Sequence, residues 1–272
     1  MNTLGAIIGD ICGSKYEWDN ETNPDKVELF KLGSRFTDDT VLTVAIMEWL
    51  VETGWRGGNS NEILIKCLQK WGHKYPKAGY GGMFRKWLAS DGSEPINSFG
   101  NGSAMRVSAC GFAAKTIEEA MDLAEKSASV THNHPEGIKG AQATAVAVYM
   151  ARTGFNMEEI KTGIERRFGY DLHTPLKERP EHKFDATCQV TVPEAIMAFL
   201  ESESYEDTII NAIAVGGDSD TIAAIAGAIA GAYFGVPSYY VEKACDILPS
   251  DMLEVIDKFN NYYYAKQIVN KA

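Results

Sequence analysis

The chain repeats one short chemical word at two places, Thr37-Asp38-Asp39-Thr40 and Asp218-Ser219-Asp220-Thr221. One aspartate at a helix start is an ordinary cap: its oxygen meets unpaired N–H groups and its charge suits the positive end of the helix dipole. A second acid beside it adds repulsion and little further capping. Each word also carries threonine hydroxyls, so each is a set of hard oxygen donors. If the four carboxylates meet in an apolar interior, they cannot all stay ionised without cations. Oxygen-only ligands favour Mg²⁺ or Mn²⁺ over zinc or copper, and one or two such ions would resolve the repulsion. Capping alone is the competing reading of each acid. A histidine metal set, His132 and His134 in "THNHPEG", is a weaker competitor, because no cysteine or further histidine has suitable spacing.

Elements that could bring these words together are legible in the periodicity. Each word precedes a long apolar run, "VLTVAIMEWL" or "IAAIAGAIAGAYFG". Neighbours on a regular helix diverge by about 100°. Convergent acids are therefore expected on the non-helical approach, where Gly216 and Gly217 give the second word its freedom to turn. Helical signals recur almost everywhere and period-two alternation is nearly absent. "TIEEAMDLAEKSA" suggests a capping box between Thr116 and Glu119, and "NMEEIKTGIERRF" opens the same way at Asn156. Pro135 in "PEGIKGAQATAVAVYMART" suits a first helical turn. The expected fold is all-α, a compact orthogonal bundle of about a dozen helices in a single domain spanning residues 1–272.

Glycines hint at topology. Gly5, Gly9 and Gly13 recur every fourth residue, as do Gly227, Gly231 and Gly235. Each set lays a bare stripe along one helix face, although glycine costs roughly 1 kcal/mol against alanine there. The stripes either face one another, so that the two helices cross at the centre of the fold, or each meets some other helix.

Composition excludes several partners. With 45% hydrophobic residues, the 272-residue chain can bury a sizeable core. A net charge of −11 without a Lys/Arg cluster speaks against a nucleic-acid backbone or an anionic membrane as partner. It leaves room for a nucleotide. The five cysteines form no CxxC pair, which points to reduced thiols and a cytoplasmic location. "MNTLGAIIGD" has no basic n-region, so no signal peptide is expected. The uncharged run from Thr221 to Val241 is broken by glycines, Pro237 and Ser238, and reads as a buried helix instead of a membrane span.

Five ordered blocks, "GAIIGDICGSKYEW", "FTDDT", "FGNGSAMRV", "THNHPEGIKGAQA" and "GGDSDTIAAIAGAIAGAYFG", resemble the ADP-ribosylglycohydrolase family over nearly the whole chain. The resemblance implies an all-helical fold with two Mg²⁺ or Mn²⁺ ions at the bottom of an ADP-ribose cleft. It places Thr37, Asp38, Asp39, Asp218, Asp220 and Thr221 on metal-ligand positions. Glu17 falls on an acid that contacts a metal and gates the site, and is the first choice for handling the proton. Asp39 is expected to bridge the metals and to be the alternative base. Gly100, Asn101, Gly102, Ser103, Ala104 and Met105 match the loop around the distal ribose and pyrophosphate, and His132 matches a substrate contact. Physical reasoning allows that role, because backbone N–H groups of a glycine-rich turn can cradle an anion, though such a turn can equally be only a turn.

Four points stay open at this level. Phe99 stacks on adenine or simply packs; Arg106 adds charge near the pyrophosphate or sits in a buried ion pair; Asp10 orients the site or caps locally. The fourth is function. The expected activity is metal-dependent hydrolysis of the glycosidic bond between ADP-ribose and an acceptor, an ADP-ribosylated protein side chain (arginine or serine) or a small-molecule conjugate. The alternatives are a two-metal phosphohydrolase and a non-catalytic ADP-ribose-binding relative. Acceptor recognition is expected in rim loops at residues 73–100 and 169–188.

Overall fold

The computed structural model describes residues 2–54, 60–90, 94–179 and 184–271, the side chains of residue 60 and of residues 264–271 excepted. Residues 91–93 and 180–183, parts of the two stretches expected to form the rim, lie outside the described residues. The fold is all-α. Among the described residues, fourteen α-helices follow one another: α1 (Gly5–Gly13), α2 (Asp38–Glu52), α3 (Ser60–Lys74), α4 (Gly82–Ala89), α5 (Gly102–Met105), α6 (Ser108–Ala113), α7 (Ile117–Ser129), α8 (Pro135–Arg152), α9 (Met157–Phe168), α10 (Cys188–Leu200), α11 (Tyr205–Ala214), α12 (Ser219–Tyr233), α13 (Ser238–Ile247) and α14 (Ser250–Lys271). The only extended pairing among them is an isolated bridge between Gly100 and Thr187.

The glycine stripes do face one another. A Cβ added to Gly5 would stand 2.2 Å from the Gly227 carbonyl oxygen, and one on Gly9 would stand 2.0 Å from that of Ala223. At Gly13 it would meet the Asp220 Cα at 2.5 Å. Gly5 meets the opposite stripe at Gly227 and Gly231, whereas Gly9 and Gly13 meet the backbone of Ala223 and Asp220; the missing Cβ on α1 allows this approach, so α1 and α12 cross at the centre of the molecule. Gly235 departs from the expected stripe: α12 ends at Tyr233, and Gly235 takes the left-handed conformation, φ 82°, beyond it.

Every residue of α12 from Ser219 to Ala232 is buried, against α1, α8, α10 and α11. That explains its lack of charge beyond Asp220, since a helix covered on all sides has no polar face to offer. Among the described residues no helix is long and apolar enough to cross a membrane.

Local signals behave as their chemistry demands. Asn156 and Glu159 form a reciprocal capping box, and Pro135 opens α8. At α7 the box is shifted: Thr116 accepts from Glu119 N–H, but the Glu119 carboxylate accepts from Lys115 N–H. α10 begins at Cys188 and carries Pro193 in its second turn.

Candidate functional site

The expected acids converge, but not by the route the sequence suggested. Asp38 and Asp39 are the first two residues of α2, and Asp220 lies in the first turn of α12. They sit inside the helices, and their divergence about the axis is used. Asp39 turns inward, toward Thr221. Asp38 turns to the loop before α4, where a Cβ on Gly79 would meet its Oδ1 at 3.0 Å.

At α2 the cap is Thr37, whose Oγ1 accepts from Asp39 N–H at 3.4 Å. Beneath it lies Asp10 of α1, fully buried. Its Oδ2 accepts from the N–H groups of Thr37 (2.9 Å) and Thr40 (3.0 Å) and from the Thr40 hydroxyl (2.5 Å). Its Oδ1 accepts from the Thr37 hydroxyl at 2.7 Å. Asp10 therefore fixes the α2 start from below, which decides the question left open by the sequence.

At α12 the approach is made by Gly216 and Gly217, with φ of 80° and 71°. Such values suit glycine and few other residues. Asn20 holds this turn at both edges: its Nδ2 donates to Gly217 O and its Oδ1 accepts from Gly217 N–H, each at 3.1 Å. Asp218 occupies the cap position but makes no capping bond. Its Oδ2 instead accepts from Asn101 Nδ2 at 2.7 Å.

The carboxylates form two triads that share Asp220: Asp10, Asp39 and Asp220, and Glu17, Asp218 and Asp220, each with ligand atoms within 4.8 Å of one another. Asp38 belongs to neither. The Thr221 and Thr37 hydroxyls each lie 3.3 Å from Asp39 Oδ2, while Asp39 Oδ1 is buried with no hydrogen-bond partner. Burial, reinforced by the neighbouring carboxylates, raises Asp39 and Asp220 well above the ordinary range, raises Glu17, and lifts Asp38 to about 8. Burial raises Asp218 too, against its bond from Asn101, and lifts Asp10 to about 6 against its four hydrogen bonds. Crowded, desolvated acids with an orphaned inward oxygen are a donor set suited to hard divalent cations.

Above the triads opens a cavity of about 410 Å³, in the range of small-molecule sites. Glu17, Asp38, Asp39, Asp218, Asp220 and Thr221 line it, as do Gly100, Asn101, Gly102, Met105 and His132. Thr37, Ser103 and Ala104 are buried and do not line it; Ser103 Oγ donates to Gly137 O at 2.7 Å. The Phe99 ring is also absent from the lining and packs at 5.2 Å on the His134 ring. Within the loop, the N–H groups of Gly100, Asn101, Ala104 and Met105 already bond to Ser98, Ala186 and Asn101. Of the remaining two residues, Gly102 lines the cavity and Ser103 does not.

His132 is held neutral by burial and by Arg106, with its basicity pushed well down. Arg106 takes neither of its two expected roles. It is fully buried, lies outside the cavity lining and has no carboxylate partner among the described residues. Its Nη2 donates to Ser127 O (2.6 Å) and Thr131 Oγ1 (2.9 Å). Thr131 Oγ1 in turn lies 2.7 Å from His132 Nδ1. The other ring nitrogen, Nε2, faces Gly100 and Gly102.

Sequence reasoning did not single out Trp18, Tyr80, Arg85 or Phe184, all of which line the cavity. Three of the four lie in the stretches expected to form the rim. The glycines of "GYGGMF" were the available signal for that part of the wall.

A profile of the ADP-ribosylglycohydrolase family matches residues 3–269. ADP-ribosylhydrolase ARH3 of Bos taurus is 28% identical over 93% of this chain and 92% of its own. ADP-ribosylarginine hydrolase Tri1 of Pseudomonas putida (strain GB-1) is 27% identical over 88% and 72%. A solved structure, "ADP-ribosylglycohydrolase-related protein complex", superposes with a TM-score of 0.72 over 97% of this chain and 95% of that one; at 22% identity it speaks for the fold alone. With a family match over nearly its full length and an acid-floored cavity built from the matching blocks, the chain belongs to the ADP-ribosylglycohydrolase family.

Proposed function

We propose that the protein hydrolyses the glycosidic bond between ADP-ribose and an acceptor on a protein or small molecule, with two Mg²⁺ or Mn²⁺ ions as cofactors. The observation that carries this reading is the pair of carboxylate triads sharing Asp220 on the floor of a cavity. Asp39, Asp218, Asp220 and Glu17 would hold the ions with the Thr221 hydroxyl, while Asp10 and Thr37 hold Asp39 in place. Asp38 completes the wall. The chemistry such ions supply is Lewis acidity toward oxygen and neutralisation of the crowded acids.

In the reaction, the bond from the anomeric carbon of the distal ribose to the acceptor nitrogen or oxygen breaks. Water gives its hydroxyl to that carbon, and a proton passes to the acceptor. Glu17 is suited to move that proton, because it is only half-buried, and burial and the neighbouring Asp218 raise its pKa above the ordinary carboxylate value. Asp39 is the alternative base. An oxocarbenium-like transition state carries positive charge, which nearby carboxylates stabilise. His132 Nε2 and the Gly102 N–H group, both at the cavity wall, are the groups suited to meet the sugar and pyrophosphate.

This reading treats residues 1–272 as one functional unit. A cytoplasmic location belongs to it, supported by five free thiols, with no role for nucleic acid or membrane. Defined ADP-ribosylated peptides incubated with Mg²⁺, Mn²⁺ or chelator test it. Release of intact ADP-ribose only with metal is expected; AMP as product would indicate a phosphohydrolase, and metal-independent release would remove the binuclear scheme.

A further inference from the structure

Two of the most exposed large apolar side chains stand together at the cavity. Trp18 is 77% exposed and Phe184 is 47% exposed, and their rings stack with centroids 5.0 Å apart and 14° between planes. They come from opposite parts of the chain, Trp18 from the segment after α1 and Phe184 from the segment before α10, and both line the cavity. A tryptophan this open to water gains little from folding, so the pair is better explained by a ligand that covers it.

Its position says which part of a ligand. Trp18 follows Glu17 directly and lines the same cavity, and Glu17 is itself part of the triad with Asp218 and Asp220. If Glu17 handles the proton that passes to the leaving group, the rings beside it meet the acceptor.

Its chemistry says which kind. Several aromatic rings elsewhere already carry a cation, among them Tyr16 under Lys31, Trp71 under Lys70 and Lys74, and Tyr170 under Lys139. No lysine or arginine covers Trp18 or Phe184 among the described residues. An uncovered ring face next to a carboxylate attracts a planar, weakly hydrated cation, which a guanidinium provides and an alcohol oxygen or ester does not.

Resting on the hydrolase reading above, we propose that Trp18 and Phe184 form the acceptor subsite and select a guanidinium-type acceptor over a hydroxyl-linked one. The test uses one peptide sequence carrying ADP-ribose on either arginine or serine. It compares the intact protein with Trp18→Ala, Phe184→Ala and Trp18→Phe, through the ratio of kcat/KM for the two peptides. Each alanine variant should lower the arginine-to-serine ratio about tenfold, and Trp18→Phe should keep most of it, because a ring face remains.

An unmoved ratio, or an equal fall for both peptides, overturns the subsite. An unsubstituted protein that cleaves only the serine-linked peptide overturns the acceptor assignment while the hydrolase reading stands. Release of ADP-ribose from neither peptide with either metal refutes the hydrolase reading itself.

Discussion

At the start of α2, the doubled acid stands on a buried carboxylate, with Asp10 accepting four hydrogen bonds from Thr37 and Thr40. At the start of α12, the doubled acid is held by amides: Asn20 grips Gly217 and Asn101 grips Asp218. One site is rigid because charge is placed beneath a normal cap. The other is held because the second of two left-handed glycines, Gly217, is clamped from outside. In both, the capping task is taken away from the inward acids, by Thr37 in the first and by leaving Asp218 without a capping bond in the second. Carboxylates freed from capping and buried against one another have no structural use that a threonine or asparagine would not serve better. That is the physical case for a cation site.

The largest expected effect breaks the α12 side. Asp218→Asn with Asp220→Asn should lower ADP-ribose release by about 10² to 10³ or more, with the helical circular dichroism retained. Equal activity would show that the acids are dispensable.

Next comes the balance of charge across both sites. A carboxyl group whose value in the folded protein lies above its ordinary one binds its proton more tightly when folded. Its stabilisation is full at low pH and is lost as pH rises through the folded value. For Asp38, lifted from 3.8 to about 8, that window runs upward from pH 4 through neutrality. Metal-stripped protein should therefore lose thermal stability between pH 5 and pH 8, and Mg²⁺ or Mn²⁺ should restore it. Asp38→Asn should flatten the slope; a profile flat in the unsubstituted protein contradicts the burial argument.

Gly13→Ala sharpens the comparison, because its Cβ would press on the α12 start, at 2.5 Å from both Asp220 Cα and Ser219 O. A loss of about 1–3 kcal/mol is expected, with activity falling further than stability explains. Asn20→Ala removes both clamps on Gly217 and should cost about 1–3 kcal/mol, read as a lower midpoint in denaturant. The smallest effect is expected at Gly81, where an added Cβ meets nothing within 4 Å: Gly81→Ala should change stability by less than about 1 kcal/mol.

Much of this arrangement was readable in advance, and the reasons are local. Doubled acids, bare glycine stripes and capping residues announce themselves within a few positions, so the meeting of the acids could be anticipated and the α1–α12 crossing stood as one of two readings. What escaped depends on pairs remote in the chain. Asn20 meets Gly217, and Trp18 meets Phe184, across roughly two-thirds of the sequence, and nothing near either residue marks the other. Arg106 misled for a similar reason, since its partners are a carbonyl and a hydroxyl, which carry no sequence signature. The helical placement of Asp38 and Asp39 also differed from expectation, because two consecutive helical acids can serve one site from its floor and its wall.

The central claim is tested most directly by calorimetric titration of Mn²⁺ into metal-stripped protein, in parallel with Asp220→Asn. Because Asp220 is common to both triads, the account predicts two ions per chain in the intact protein and weakened binding of both in the variant. Binding that Asp220→Asn leaves unchanged, or no binding in the intact chain, would contradict it.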